Sequence, residues 1–406
     1  MKTSFVLLMS TISLSLTACG GGGSSNTGGG SDNVSYAFSS IYTFAGPPDG
    51  FAPTGGLVQD AAGNLYGTTT GGGDFNHGTV FKVDASGKET LLYSFAGGAD
   101  GTTPSSALVR DSSGNLYGTA SGGAHNAGTI FKIDPNGTFS LLYTFAGGAD
   151  GGNNPGFLTS DSPLLLDSAG NLYGATFTGG QVKCKPFGVL AGCGVVFRVD
   201  PSGVESVLYS FTGGNDGGNP SAGLIRDSAG NFYGTSGGGA AGGGVVFKLD
   251  SLGQLTILYS FTGGMDGGVP SGRLLRDSAG NFYGTTVGGG AAGNGTVFKI
   301  TPSGKRTVLH SFAGSPDGAV PEAGLVMDSA GNLYGTTVIA GTGLVGMVFR
   351  IDSAGNETVL HNFAGLDGSN PSSALMIDKS GHLYGTTTSG GPGPGYGNVF
   401  KLTRGQ

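Results

Sequence analysis

The chain has 406 residues, of which 86 are glycine and only 11% are charged, and its formal charge at pH 7 is −7. Glycine does not recur at every third position, which excludes collagen, and a hydrophobic content of 37% argues against simple disorder. The acidic balance and the lack of a basic cluster argue against nucleic-acid binding. Because glycine weakens helix interiors by about 1 kcal/mol each, the composition favours an all-β fold.

The first 18 residues are typical of an export signal. Lys2 precedes an apolar stretch, residues 5–16, that is too short to span a bilayer. The sequence LTAC at residues 16–19 resembles the lipobox of bacterial lipoproteins, in which the peptide is cut before the Cys and the Cys carries the lipid. We therefore expect removal of residues 1–18 and lipidation of Cys19. The alternative is an ordinary secretory signal with an unrelated Cys.

A Gly/Ser-rich tether follows the expected lipid site. Residues 20–33 behave as flexible coil with a reach of about 20 Å. We expect a tether over residues 19–35 to hold a folded part, residues 36–406, at a membrane. Gly20 stands where Asp retains well-studied lipoproteins in the inner membrane. By this resemblance we expect the outer membrane, on its periplasmic or its surface side.

Two further cysteines, Cys184 and Cys193, lie nine residues apart. Export delivers them to an oxidising compartment, so we expect a disulfide that closes one loop. A zinc pair is the weaker alternative, because no His lies nearby in the sequence to complete the site.

Three short strings each occur seven times, which indicates seven copies of one unit. The string D-x-x-G-(N/H)-(L/F)-Y-G recurs with spacings of 51, 56, 60, 50, 51 and 50 residues between its Tyr residues. The others are (V/I)-F-(K/R) and F-(A/T)-G. The Tyr residues of the first string are Tyr66, Tyr117, Tyr173, Tyr233, Tyr283, Tyr334 and Tyr384.

Each unit contains four strand-like runs, which we name a to d. In the second unit we predict strands at residues 107–110, 116–120, 129–133 and 140–145, with D-x-x-G type I turns between a and b and between c and d. Four antiparallel strands in about 50 residues, repeated seven times, predict a seven-bladed β-propeller. The last unit lacks strand d, and we expect residues 39–45 to supply it and close the ring. A β-solenoid is the alternative.

These repeats resemble the GloVer tandem repeat of exported bacterial proteins over residues 36–404. The resemblance implies a propeller-like repeat region of no established activity, displayed on one of several surface anchors. In this chain the anchor would be the lipidated Cys19.

Most of the 26 acidic residues recur at turn positions, where Asp stabilises the backbone. Within the ring, Asp74, Asp161 and Glu322 have no repeated role. Two of these three carboxyl groups could form the acid pair of a glycosidase. His77, His125 and Asp74 offer a weak metal hypothesis. We predict no catalytic residue, metal or cofactor. The Lys or Arg after the Phe of strand c is expected to pair with turn Asp residues.

The strand order places the tight a–b and c–d turns on one face and the longer b–c and d–a loops on the other. The third unit carries the two longest loops, which we name the lip. A disulfide-closed lip with Lys and Phe is where we expect a ligand, although a surface insertion without function is the alternative. The candidate binding residues on this face are Phe157, Asp161, Lys183, Lys185, Phe187, Asp74 and His77.

Three functions are compatible with these observations. The first is a monomeric cell-envelope lipoprotein that binds a glycan or a surface protein through the long-loop face. The second is a propeller lyase or glycosidase with a site at the central mouth, where Arg110, Arg226, Arg273 and Arg276 could serve an anionic substrate. The third is a structural spacer. Clustering of Asp74, Asp161, Glu322 and His77 at the mouth would favour the enzyme, and an apolar mouth without carboxylates would exclude it.

Overall fold

The computed structural model of the chain describes residues 34–152, 162–180, 184 and 192–405, and Ser35–Gln406 form one compact unit. These described residues form 31 strands, and they contain no helix long and apolar enough to cross a membrane. In chain order the strands are β1 (Tyr36–Thr43), β2 (Gly50–Phe51), β3 (Val58–Gln59), β4 (Leu65–Thr69), β5 (Gly71–Gly72), β6 (Thr79–Val83), β7 (Glu89–Ser94), β8 (Val109–Arg110), β9 (Leu116–Ala120), β10 (Thr129–Ile133), β11 (Phe139–Thr144), β12 (Leu165–Leu166), β13 (Leu172–Thr176), β14 (Val195–Val199), β15 (Glu205–Ser210) and β16 (Ile225–Arg226). The remaining strands are β17 (Phe232–Ser236), β18 (Val245–Leu249), β19 (Leu255–Ser260), β20 (Gly268–Pro270), β21 (Leu275–Arg276), β22 (Phe282–Gly288), β23 (Thr296–Ile300), β24 (Arg306–Ser311), β25 (Val326–Met327), β26 (Leu333–Thr337), β27 (Met347–Ile351), β28 (Glu357–Asn362), β29 (Met376–Ile377), β30 (Leu383–Thr387) and β31 (Asn398–Arg404).

The protein is an all-β, seven-bladed propeller, as the repeats predicted. Within the described part of the chain, each blade is an antiparallel sheet with strands a to d in order. The blades are β3-β4-β6-β7, β8-β9-β10-β11, β12-β13-β14-β15, β16-β17-β18-β19, β21-β22-β23-β24, β25-β26-β27-β28 and β29-β30-β31-β1, numbered 1 to 7. In blade 5, β20 also pairs with β22, and β2 and β5 form a separate two-stranded sheet.

The N-terminal strand closes the ring. β1 pairs antiparallel with β31, from Tyr36 opposite Arg404 to Thr43 opposite Asn398. The predicted closure is therefore confirmed, although the strand begins three residues earlier than the predicted range 39–45. Blade 7 takes one strand from the start of the propeller and three from its end.

Strand a is shorter than predicted. The prediction for blade 2 was residues 107–110, and the structure pairs only Val109–Arg110 with strand b. The residues before them turn towards the neighbouring blade, where the Ser106 carbonyl accepts a hydrogen bond from the Thr68 hydroxyl at 3.2 Å. Near the propeller axis, a hydrogen bond between blades thus replaces the pairing of strand a with strand b.

The core lies between blades, where seven phenylalanine pairs pack among Val, Leu and Ile side chains. The Phe that follows strand d in one blade meets the Phe of strand c in the next edge-to-face, with ring centroids 5.0–5.3 Å apart. Such pairs add about 1 kcal/mol beyond area burial. The pairs are Phe44–Phe81, Phe95–Phe131, Phe145–Phe197, Phe211–Phe247, Phe261–Phe298, Phe312–Phe349 and Phe363–Phe400.

The D-x-x-G-N-L-Y string is explained by one hydrogen-bond network. In blade 1 the Gly63 amide donates to the Asp60 carbonyl at 3.1 Å, which closes the a–b turn, and Gly63 has a φ of +86°. The Asp60 carboxylate accepts the Asn64 side-chain amide at 2.7 Å and the Tyr66 hydroxyl at 3.0 Å. The Asp, Gly, Asn and Tyr of the repeat therefore tie strand b to its turn.

Candidate functional site

The propeller has two unlike faces. The a–b and c–d turns form the turn face, and each is closed by an amide-to-carbonyl bond such as that from Gly137 to Asp134 at 2.9 Å. The b–c loops and the connections from strand d to the next strand a form the long-loop face. Binding residues are commonly carried on such loops above a rigid scaffold.

Each connection from strand d to the next strand a contains an Asp-Gly pair, which we name the D-G pair, and its Asp holds the long loops in place. The seven residues are Asp49, Asp100, Asp150, Asp216, Asp266, Asp317 and Asp367. Asp100 accepts the Tyr93 hydroxyl at 3.0 Å, the Ala96 amide at 2.7 Å and the Gly98 amide at 3.1 Å. In blades 5 and 6 a His replaces this Tyr, and the bonds become His310–Asp317 at 3.0 Å and His361–Asp367 at 2.8 Å. These carboxylates fix the conformation of the long loops by bonding them to strand d.

Large apolar side chains are exposed on the long-loop face. The most exposed are Leu366 at 82%, Met265 at 70% and Leu344 at 65%. Five of these side chains lie in consecutive blades 6, 7 and 1, and we name them the apolar arc: Ile339, Leu344, Leu366, Tyr396 and Phe75. Tyr396 also contacts the ring of Phe51, with centroids 5.6 Å apart. Exposed apolar patches on soluble proteins mark binding surfaces.

The expected disulfide is present. Cys184 and Cys193 are bonded, and Cys193 is fully buried. Its carbonyl accepts the Asn219 amide at 2.7 Å, which joins the lip to the connection entering blade 4. The predicted lip residues Phe157, Asp161, Lys183, Lys185 and Phe187 lie outside the described residues, as does the predicted lipid site Cys19.

Asp74 and His77 both lie in the b–c loop of blade 1, at the long-loop face. Asp74 is exposed, and its amide donates to Ser94 Oγ at 2.8 Å. His77 is half-buried, and its carbonyl accepts the Thr103 amide of the next connection at 2.7 Å. Within the described part of the chain, neither belongs to a cluster of three metal-ligating side chains.

A central channel with a cavity of about 750 Å³ runs between the a strands. Its wall is mostly apolar, and neighbouring a-strand entries approach closely there: a Cβ on Gly56 would lie 3.4 Å from both Ala107 Cβ and the Ala374 carbonyl oxygen. The one carboxylate among its described lining residues is Asp167, which accepts hydrogen bonds from Asn171 and Tyr173. The apolar lining residues are Leu57, Val58, Ala107, Leu108, Val109, Pro163, Leu165, Leu166, Ile225, Leu274, Leu275, Leu325, Val326, Ala374 and Leu375.

Three arginines border this channel, and each makes a contact between blades. The guanidinium of Arg226 lies 5.0 Å from the Tyr173 ring centroid, and its Nη1 is 3.4 Å from Asp167 Oδ2. Arg276 lies over the Tyr233 ring at 5.9 Å. Arg273 donates from Nε to the Leu224 carbonyl at 3.1 Å. These contacts give the cations a role in joining blades.

On the outer rim, three Glu carboxyl groups each lie near an Asp carboxylate, and the sequence repeats did not predict these pairs. The first residue of strand d in blades 1, 3 and 6 is a Glu. Each Glu interacts electrostatically with the D-G Asp that follows strand d of the preceding blade. Burial and the carboxylate of Asp49 raise the pKa of Glu89 to about 7. In the same way, Asp150 acts on Glu205, whose pKa is about 7, and Asp317 on Glu357, whose pKa is about 8. The only sequence signal was that these Glu residues share one repeat position.

Burial also raises the pKa of Glu322, in the connection entering blade 6. Its carbonyl accepts the Ser271 hydroxyl at 3.0 Å. Asp161, its proposed partner from the sequence, lies outside the described residues. The carboxylate pair that the sequence allows among Asp74, Asp161 and Glu322 therefore stays a prediction.

Comparison with known proteins identifies a repeat family and a fold. The profile of the Gloeobacter/Verrucomicrobia repeat matches residues 21–185 and 160–400. Virginiamycin B lyase from Staphylococcus aureus is 14% identical with a TM-score of 0.59, and the match covers 91% of this chain and 99% of that one. The extracellular domain of a Bacteroides thetaiotaomicron chain assigned as a hybrid two component system is 14% identical with a TM-score of 0.56, over 90% of this chain and 39% of that one. No curated protein sequence matches.

Proposed function

Because the chain belongs to the Gloeobacter/Verrucomicrobia repeat family and its long-loop face presents the apolar arc, we propose that it is a cell-envelope lipoprotein that binds a protein partner through that face. The exposed apolar side chains of blades 6, 7 and 1 carry this proposal. Burying them at about 25 cal/mol per Å² would supply the main attraction. The sequence predicts that the candidate lip residues of blade 3 lie on the same face.

The chemistry of the arc favours a protein over a glycan. Ile339, Leu344 and Leu366 are aliphatic, and they offer neither a flat ring for stacking on a sugar nor a polar group for its hydroxyls. Tyr396 and Phe75 add the aromatic side chains that are enriched in protein interfaces. Binding of a glycan is therefore the alternative that the experiment must separate.

The membrane tether is part of the proposal. The LTAC sequence at residues 16–19 and the Gly/Ser-rich segment after it support lipidation of Cys19 and a position in the outer membrane. A lipid chain is stabilised in the membrane by about 0.8 kcal/mol for each buried methylene. The propeller would then be held close to envelope proteins while remaining outside the bilayer.

Catalysis in the central channel receives less support. The described channel wall is mostly apolar, its three arginines make contacts between blades, and its carboxylate Asp167 is bonded to Asn171, Tyr173 and Arg226. The similarity to virginiamycin B lyase, at 14% identity, concerns the fold. We therefore do not assign an enzymatic activity to the channel.

The test uses the soluble propeller, residues 34–406, as bait for envelope extracts of the source cells, followed by binding measurements with the purified partner. The Leu344→Ser/Leu366→Ser double variant should lose the partner at an unchanged melting temperature. Leu252→Ser is the matched control, since Leu252 is 85% exposed at a c–d turn on the opposite face. Equal binding by all three proteins, or binding of a glycan on an array in place of a protein, would overturn the proposal.

A further inference from the structure

In each blade, the strand-d residue that pairs with the residue two positions after the Phe of strand c packs against the preceding blade on the outer rim. We name this position the rim slot. Phe139 stacks on Tyr93 with ring centroids 4.2 Å apart, and Phe38 stacks on His361 at the same distance. Arg306 lies over the Tyr259 ring at 5.6 Å. In each case the Tyr or His is the residue that also bonds the D-G Asp, so the slot brings that Asp within reach of the next blade.

The contents of this rim slot differ from blade to blade. Two slots contain Phe, one contains Leu, one contains Arg, and three contain Glu. A slot Glu meets a Tyr–Asp pair at two positions: Glu89 with Tyr42 and Asp49, and Glu205 with Tyr143 and Asp150. At the third position Glu357 meets a His–Asp pair, His310 and Asp317. This slot alone among the described blades combines a His with two carboxyl groups.

The geometry at the third position is compact. His310 Nε2 lies 3.0 Å from Asp317 Oδ1. One ligand atom from each of His310, Asp317 and Glu357 lies within 4.8 Å of the others, and all three residues are half-buried. Glu357 Oε1 is closed off from solvent and has no hydrogen-bond partner among the described residues. Asp317 Oδ2 is oriented by the Ala313 amide at 2.6 Å, which leaves Oδ1 facing the cluster.

We propose that His310, Asp317 and Glu357 bind one divalent transition-metal ion of the zinc class between blades 5 and 6. One imidazole nitrogen and two carboxylate oxygens are ligands that Zn²⁺ accepts, with water completing four-coordination. Metal–ligand distances of about 2.0–2.2 Å place ligand atoms roughly 3.5 Å apart. The His310–Asp317 pair, 3.0 Å apart, would open by about 0.5 Å on binding the ion, and the Glu357 oxygen, within 4.8 Å of both ligand atoms, would approach them.

A bound ion would give the side chains of His310, Asp317 and Glu357 a shared partner. It would replace the His310–Asp317 hydrogen bond and give the sealed Glu357 Oε1 a partner. Since His310 and Asp317 precede blade 6 and Glu357 belongs to it, the ion would join consecutive blades. A ligand that binds only the folded state stabilises it in proportion to its free concentration.

The other Glu slots supply matched controls within the same chain. Tyr143, Asp150 and Glu205 occupy the positions equivalent to His310, Asp317 and Glu357. Tyr143→His therefore rebuilds the proposed ligand set between blades 2 and 3. His310→Tyr does the reverse, because Tyr stands at five of the seven positions equivalent to residue 310.

The experiment measures zinc binding to the chelator-stripped, untagged propeller by competition with a chromogenic chelator, with the melting temperature as a second readout. The wild type should bind one equivalent and melt at a higher temperature with Zn²⁺. His310→Tyr and Glu357→Gln should each bind at least about tenfold more weakly. Tyr143→His should bind two equivalents. No zinc binding by the wild type, undiminished binding by folded His310→Tyr or Glu357→Gln, or one equivalent in Tyr143→His would overturn the proposal.

Discussion

Pro270 lies directly against Gly244 of the preceding blade. A Cβ on Gly244 would stand 2.3 Å from Pro270 Cδ, and the residue before the proline, Val269, donates its amide to the Gly243 carbonyl at 2.7 Å. Val269 takes a φ of +56° to do so, a strained conformation for a β-branched residue. The same contact joins Gly78–Pro104, Gly194–Pro220, Gly295–Pro321, Gly346–Pro371 and Gly397–Pro53. The Pro that follows the D-G pair thus joins neighbouring long loops.

We expect Gly244→Ala to destabilise the propeller by about 1–3 kcal/mol from overpacking, in addition to the penalty for alanine at a φ of +101°. Gly242→Ala is the matched control, because Gly242 has a φ of +81° and open space around its Cβ position. The control should lose only about 1 kcal/mol. Urea unfolding of the three proteins measures the difference, and equal losses in the two variants would contradict the steric role of Pro270.

Tyr233→Phe should lower the free energy of unfolding by about 1 kcal/mol. The change removes the hydroxyl that donates to Asp227 Oδ2 at 2.9 Å and keeps the ring. Tyr396→Phe is the control, since that hydroxyl has no hydrogen-bond partner within the described residues. If both variants unfold at the same urea concentration as the wild type, the Tyr–Asp bond does not stabilise the blade.

The stability that Glu89 contributes should be lost as the pH rises between about 4.5 and 7. Burial and Asp49 raise the pKa of Glu89 to about 7 in the folded protein, from 4.5 as its ordinary value. In that window the folded state holds a proton that the unfolded state has released, so raising the pH favours unfolding. Glu89→Gln removes this contribution. The stability of the variant relative to the wild type should therefore increase from pH 4.5 to 7 and then level off, whereas a pH-independent difference would contradict the pKa shift.

Cys19→Ser should release the protein from the membrane fraction, because the sequence predicts that its lipid is attached there. Fractionation of cells and phase partitioning in detergent measure the release. Cys184→Ser is the control and should remain in the membrane fraction, since Cys184 forms the lip disulfide. Retention of the Cys19→Ser protein would contradict lipid anchoring.

Replacing residues 185–191 with a Gly/Ser segment of equal length should weaken binding of the protein partner with little change in melting temperature. The replacement keeps Cys193, which is fully buried and whose carbonyl bonds Asn219. Removing the whole segment 180–193 would take this core residue away. Unchanged partner affinity in the replaced protein would remove the lip from the binding surface.

The repeats predict the blades because each motif residue acts inside its own unit. Asp60, Gly63, Asn64 and Tyr66 lie within seven residues, and their network is local. The number of blades, the D-x-x-G turns and the closing strand could therefore be read from the spacing.

Contacts between units were harder to predict. The Lys or Arg of strand c was predicted to pair with turn Asp residues. The Ser86 hydrogen bond and the charge of Lys82 lower the pKa of Asp84, as the Ser202 hydrogen bond and Arg198 do for Asp200. Lys299 instead lies over the Tyr283 ring at 5.4 Å, beside a c–d turn that begins with Thr301. The cluster of His310, Asp317 and Glu357 was missed because a list of repeat positions does not show which position faces the next blade.

The pairing of β1 with β31 has a consequence for how the protein is made. Tyr36 pairs with Arg404, which is 368 residues later in the chain. Contacts between residues so far apart in sequence form slowly. A polypeptide that stops before residue 398 leaves its first strand without a neighbour and blade 7 incomplete. A product that lacks β31 would therefore expose β1 and β30 as open sheet edges, which other strands can pair with.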